Sequence, residues 1–119
     1  MPDPVARLKT TVEGEVRIVE LVDRKILDEA VISQISQQLF PLVGQAAPRM
    51  VLDFINVGHM SSSALGMLIT LLKRIREKGG KLILCNIRPS IYEVFAITRL
   101  NEVFTISPTR REALGEATN

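Results

Sequence analysis

The chain has 119 residues, a formal net charge of +2 and a single cysteine. Its length suits one domain around one core, and 46% hydrophobic with 24% charged residues is the balance of a soluble globular protein. The small charge argues against nucleic acid or an anionic membrane as partner, no apolar run approaches the ~20 residues of a membrane span, and one cysteine excludes an internal disulfide.

Met1 to Ala6, with Pro2 and Pro4, reads as a loose end of a single domain over residues 1–119. No signal-peptide apolar region follows it, so a cytoplasmic protein is expected. The lone cysteine agrees with a reducing compartment. Leu8 to Val12 and Glu15 to Val22 read as two strands, with Glu13-Gly14 as the hairpin signal. Asp23-Arg24-Lys25 is a polar break, read as a solvated turn. A helix is predicted from Asp28 to Val43. Asp28 is its cap, and Val31, Ile32, Ile35, Leu39 and Leu42 recur at helical spacing. Pro41 should end or bend it.

Val51 to Phe54 is an apolar run with an acid near its end, the pattern of a buried strand. Asp53 is either a turn former or an acid that helps position the serine loop or a kinase's metal. Asn56 and Gly58 mark that loop. His59, the only histidine, has no second ligand near it for a metal, and is read as packing. Ser61, Ser62 and Ser63 stand before a helix predicted over Ser62 to Lys78. One serine is enough to cap that helix. Three suggest a helix start fitted to an anion, including a phosphate placed on a serine. Leu65, Leu68, Ile69, Leu72 and Ile75 define the face toward the sheet. Met67 falls on the other side with Arg74 and Lys78, and Ala64 and Leu71 on the flank. Together with Met60 they predict an exposed apolar patch for a partner.

Glu77-Lys-Gly-Gly-Lys81 stops the helix, and Lys81 to Cys85 is a second buried strand with Cys85 as a small hydrophobe. Asn86-Ile-Arg-Pro89 turns into a third helix bearing Ile91, Val94, Phe95 and Thr98. Val103 to Ile106 should be a short strand. Thr109 to Ala117 should be a helix capped by Thr109, with Arg110 and Arg111 outside. The order predicts an α/β fold, a mixed sheet of about five strands with about four helices on it. Loops after the strands ending at Asp53 and Cys85 should meet at one edge, which would bring Asn86 and Arg88 near Ser62.

Val51-Leu-Asp, Val57, Met60 and Ser62-Ser63-x-Leu65-Gly66 resemble the core motif of STAS domains, the family of anti-sigma factor antagonists. Ser62 falls on the serine that a partner kinase phosphorylates in that family. Two positions depart from its pattern: Ser61 stands where Asp is usual, and Ala64 where Gly is usual. A third, Arg99 in Thr98-Arg99-Leu100, replaces a glycine. The resemblance implies a STAS-like domain that binds an anti-sigma factor with serine-kinase activity and is switched off by phosphate on Ser62. A phosphatase is then a possible further partner. Asp53, Ser61, Ser63, Asn86 and Arg88 would support the site, and Met60, Ala64, Met67 and Leu71 would touch the partner. The alternative is a constitutive STAS subunit of a larger transporter-linked or signalling assembly, a reading that the departures at Ser61 and Ala64 feed. An enzyme is not expected, since Ser62 has only His59 near it as a base and no phosphate-binding glycine loop occurs. No cofactor is called for.

Overall fold

The structure, a computed structural model, describes residues 6–44 and 47–118. The expected loose end at Met1 to Ala6 lies outside them except for Ala6. Strands β1 (Leu8–Glu13) and β2 (Val16–Leu21) form the antiparallel hairpin. β2 then pairs in parallel with β4 (Arg49–Asp53), β4 with β6 (Lys81–Cys85), and β6 with β7 (Thr105–Ser107). The order β1-β2-β4-β6-β7 makes one mixed five-stranded sheet. Two further short strands, β3 (Lys25–Ile26) and β5 (His59–Met60), pair in parallel with each other.

Each parallel connection steps one place in the same direction. Right-handed crossovers therefore put helices α1 (Glu29–Leu39), α2 (Ser62–Glu77) and α3 (Pro89–Ile97) on one face. Strand alternation supplies the matching side chains. Val19, Leu21, Met50, Leu52, Leu82 and Leu84 point to that face and join the buried residues of the three helices. Val16, Ile18, Val51, Ile83 and Cys85 point the other way and are covered by α4 (Arg110–Thr118) through Ala113 and Ala117. Small alanines let α4 lie close to the strands.

Local signals account for the helix ends. Asp28 Oδ1 accepts from Ala30 N at 2.7 Å, and the helix gives way to a 3-10 turn, Phe40–Val43, at Pro41. Thr109 Oγ1 accepts from Glu112 N at 3.2 Å. After α2, Gly79 takes φ 74°, and Gly80 lies so close to Pro48 that a Cβ there would collide with its carbonyl oxygen. Arg99 takes the left-handed conformation itself, with φ 61°. A 3-10 turn, Leu100–Glu102, follows it, so the last strand begins at Thr105 rather than at Val103.

Candidate functional site

The loop from Asp53 to Ser61 is tied at both ends. Asp53 Oδ1 accepts from Ile55 N at 2.9 Å, and Phe54 N bonds Cys85 O at 3.0 Å. Asn56 reaches back to Leu21 O and to Glu20. Gly58 N and His59 N both donate to Arg24 O, and Ser61 N to Ile26 O. Phe54 and Val57 are fully buried beneath it. The start of α2 is therefore presented on a fixed backbone.

The three serines at that start do three different things. Ser61 is the cap: its Oγ accepts from Ala64 N at 3.2 Å. Ser63 Oγ donates to Glu29 Oε1 of α1 at 2.8 Å. Ser62 is the first helical residue and is exposed, and its hydroxyl has no hydrogen-bond partner among the described residues. The N–H groups of a helix's first turn have no intrahelical acceptor, which leaves positive potential beside Ser62.

The expected apolar patch on α2 does not exist in the form predicted. Ala64 is 1%, Met67 8% and Leu71 0% exposed, all within the main core. The cause is the neighbour on that flank. Ser63 is bonded to α1, the Arg74 guanidinium lies 4.7 Å from the Phe40 ring centre, and Lys78 Nζ donates to Gly44 O. Met67 shares this flank, so α1 and the 3-10 turn after it cover what was expected to face a partner. The buried stripe centres on Leu68, Ala64, Leu71 and Ile75, with Leu65 and Leu72 toward one margin.

Exposed apolar surface near Ser62 lies instead across the β5–α3 boundary. Leu27, Gly58, His59, Met60, Ser90, Ile91 and Val94 line an open depression of about 240 Å³. Leu27 and Val94 are exposed there, and Ile97 continues the face of α3. Of the expected contact residues only Met60 belongs to it. Sequence reading missed Leu27 and Val94. The available signal was α3, where five of nine residues in PSIYEVFAI are large and apolar, more than one buried face needs. His59 is exposed rather than packed.

Asp53 belongs to a different constellation. Its neighbour Leu52 faces α2, so alternation turns Asp53 to the α4 side. Its Oδ2 accepts from Arg110 Nε at 2.8 Å and its Oδ1 from Asn86 Nδ2 at 3.0 Å. Arg110 also binds Glu20 Oε1 at 3.0 Å. Arg110 thus lies in a network rather than outside. Its partial burial opposes its charge, but the hydrogen bond and charge of Asp53 prevail and its pKa is raised. Burial, reinforced by Asp53, pushes the Cys85 thiol up to about 12. At the far end of α4, Arg49 donates to the Ala117 and Thr118 carbonyls. Asn86 therefore meets Asp53, and neither it nor Arg88, the exposed residue before Pro89, is hydrogen-bonded to Ser62. Among the described residues no cluster of His, Cys, Asp or Glu could hold a metal, and no helix is long and apolar enough to cross a membrane.

A rigid loop, a capped helix start with one free serine and a singly wound sheet define a STAS fold. The STAS domain family model matches residues 7–113, and the chain belongs to that family. Over 88 residues it is 28% identical to BtrV of Bordetella bronchiseptica, a protein named as an anti-sigma factor antagonist, covering 74% of this chain and 76% of that one. An anti-sigma-factor antagonist (STAS) domain protein from Planctomyces limnophilus superposes with a TM-score of 0.87 at 27% identity, over 96% of this chain and all of the other. The Bacillus cell fate determinant SpoIIAA in its phosphorylated form shares the fold at a TM-score of 0.68 and 21% identity, over 92% of this chain and 97% of that one.

Proposed function

We propose that this protein is a regulatory binding module, an anti-sigma factor antagonist that binds an anti-sigma factor with serine-kinase activity and is switched off when that kinase phosphorylates Ser62. The observation that carries this reading is the free, exposed hydroxyl of Ser62 at the first position of α2, between two serines that are engaged. A phosphate there adds about −1.5 to −2 charges. The helix start accommodates them, so the fold survives. A partner seated on Leu27, Met60 and Val94 meets a desolvated charge at its margin, and the complex is lost. A phosphatase would restore binding. The departures from the family pattern leave this scheme intact. Ser61 caps the helix as an aspartate would, and Ala64 is a buried helical residue. The protein would act in the cytoplasm, without nucleic acid.

Incubation with a cognate anti-sigma factor kinase and ATP, followed by phosphopeptide mapping, tests the scheme. Modification of Ser62 alone is expected. Modification of Ser61 or Ser63 would contradict the assignment. Absence of any modification, with Ser62→Asp binding its partner as tightly as the native chain, would favour a constitutive structural subunit.

A further inference from the structure

β1 is an edge of the main sheet, and every residue from Lys9 to Glu13 is exposed. Edge strands that avoid other chains are usually short, bulged, broken by proline or guarded by charged side chains, of which β1 carries two of opposite sign, Lys9 and Glu13. The opposite edge, β7, has three residues. β1 has six, contains no proline, and pairs with β2 without a break from Leu8↔Leu21 to Glu13↔Val16.

The hairpin decides which backbone groups remain free. Glu13 and Val16 close a two-residue turn, and such a closing pair exchanges both backbone hydrogen bonds. Alternation then turns the N–H and C=O of Thr11 and Lys9 toward β2, and those of Leu8, Thr10 and Val12 outward. Only outward groups can bond another strand. This restricts the registers open to an added chain.

We propose that β1 pairs antiparallel with β1 of a second copy, about a two-fold axis at Thr11. Thr10 and Val12 of each copy exchange backbone bonds, Thr11 faces Thr11, and Lys9 faces Glu13 on both sides of the axis. The Lys9–Glu13 pairs fall at the non-hydrogen-bonded positions, where side chains come closest. Neither residue has an ion pair among the described residues, so both charges are available. The segment Lys9-Thr-Thr-Val-Glu13 is its own complement when read in reverse, which selects a second copy over an unrelated strand. Of the two neighbouring allowed registers, one sets Glu13 against Arg7, whose guanidinium is already held by Asp23 and Gln34, and the other sets Lys9 against Glu15, which lies in the turn beyond the end of β1. The pairing joins two sheets into one of ten strands and is independent of any role for Ser62.

Sedimentation of the full chain up to millimolar concentration should show a monomer–dimer equilibrium. Lys9→Glu should weaken it about tenfold, since two attractive pairs become repulsive, and adding Glu13→Lys should restore it. Thr11→Cys should give a disulfide-linked dimer on mild oxidation, because facing residues at a non-hydrogen-bonded position meet the geometry of that bond. Cys85 is buried and does not compete. A chain that stays monomeric throughout would overturn the proposal. So would a dimer unaffected by Lys9→Glu and not trapped through Thr11→Cys.

Discussion

Arg110, the first residue of α4, donates from Nε to Oδ2 of Asp53 at 2.8 Å and so fastens the last helix to the end of the central strand. Asp53 is only 2% exposed, and its other oxygen is shared between Ile55 N and Asn86. Arg110→Leu would leave a buried carboxylate oxygen without its donor. A loss of about 1–3 kcal/mol is expected. Glu20→Gln removes the charge on the more exposed arm and leaves one acceptor oxygen for Arg110 or Asn56, and should cost under ~1 kcal/mol. Urea titrations of the two variants measure this order. Equal midpoints would mean that Asp53 gains little from Arg110.

Cys85 lies under α4, and its thiol is pushed from an ordinary 9.0 up to about 12 by burial and then by Asp53. A thiol that keeps its proton longer in the fold than in the unfolded chain makes the fold lose stability with rising pH. Its contribution is whole below pH 9 and is lost as pH climbs through about 12. The slope from this group cannot exceed about 1.4 kcal/mol per pH unit. Cys85→Ala should flatten that stretch of the curve, whatever it does to the baseline. Native and variant curves that run parallel across the alkaline range would remove Cys85 as the cause.

Met67→Ala should cost about 2–5 kcal/mol, as Leu68→Ala should, because both side chains lie in the core. Thermal or chemical melts decide it. A loss well under ~1 kcal/mol for Met67→Ala would show that α1 does not cover this flank.

The fate of Met67 shows what the sequence could and could not tell. Helix starts at Asp28 and Thr109, the break at Pro41 and the stop at Gly79-Gly80 were readable because each is set by its own residues. The face turned by Asp53 was not, because Val51 and Leu52 are both apolar and buried and a period of two does not tell which of them faces α4. Nor was that of Met67. Its burial depends on α1, which ends 28 positions before it, lying beside α2 rather than elsewhere on the sheet. The β3–β5 pair escaped for a related reason. Two residues per strand carry no periodicity, yet this pair sets Met60 and the depression next to it.

Arg99 keeps φ 61° where the family uses glycine. A left-handed residue with a Cβ costs roughly 1–2 kcal/mol, and glycine returns part of that through its larger unfolded freedom. Arg99→Gly should therefore raise stability by up to about 1 kcal/mol. Its side chain takes part in no hydrogen bond or ion pair among the described residues, so little is lost with it. A lower melting temperature in the variant would count against strain at this position.

Ser61 and Ser62 are neighbours with opposite expected behaviour, and the contrast separates a cap from a switch. Ser61→Ala removes the acceptor of Ala64 N, and should cost about 1 kcal/mol of stability. Ser62→Ala removes a hydroxyl that bonds nothing among the described residues, and should leave the melting temperature nearly unchanged. Ser62→Asp puts a carboxylate at the positive end of α2, and should be neutral or stabilising by roughly 0.3–1 kcal/mol. Partner binding should follow a different order. Ser61→Ala and Ser62→Ala should bind almost as the native chain does, provided measurements are made well below the melting temperature. Ser62→Asp should bind far more weakly, by several kcal/mol if the carboxylate is desolvated and unpaired against the partner. Calorimetric titration beside thermal melts gives both quantities on one sample. If Ser62→Asp lost stability and binding in equal measure, the serine would be a structural element of α2. If it lost neither, the partner would sit elsewhere than on Leu27, Met60 and Val94, and phosphate at this helix start could not act as the switch.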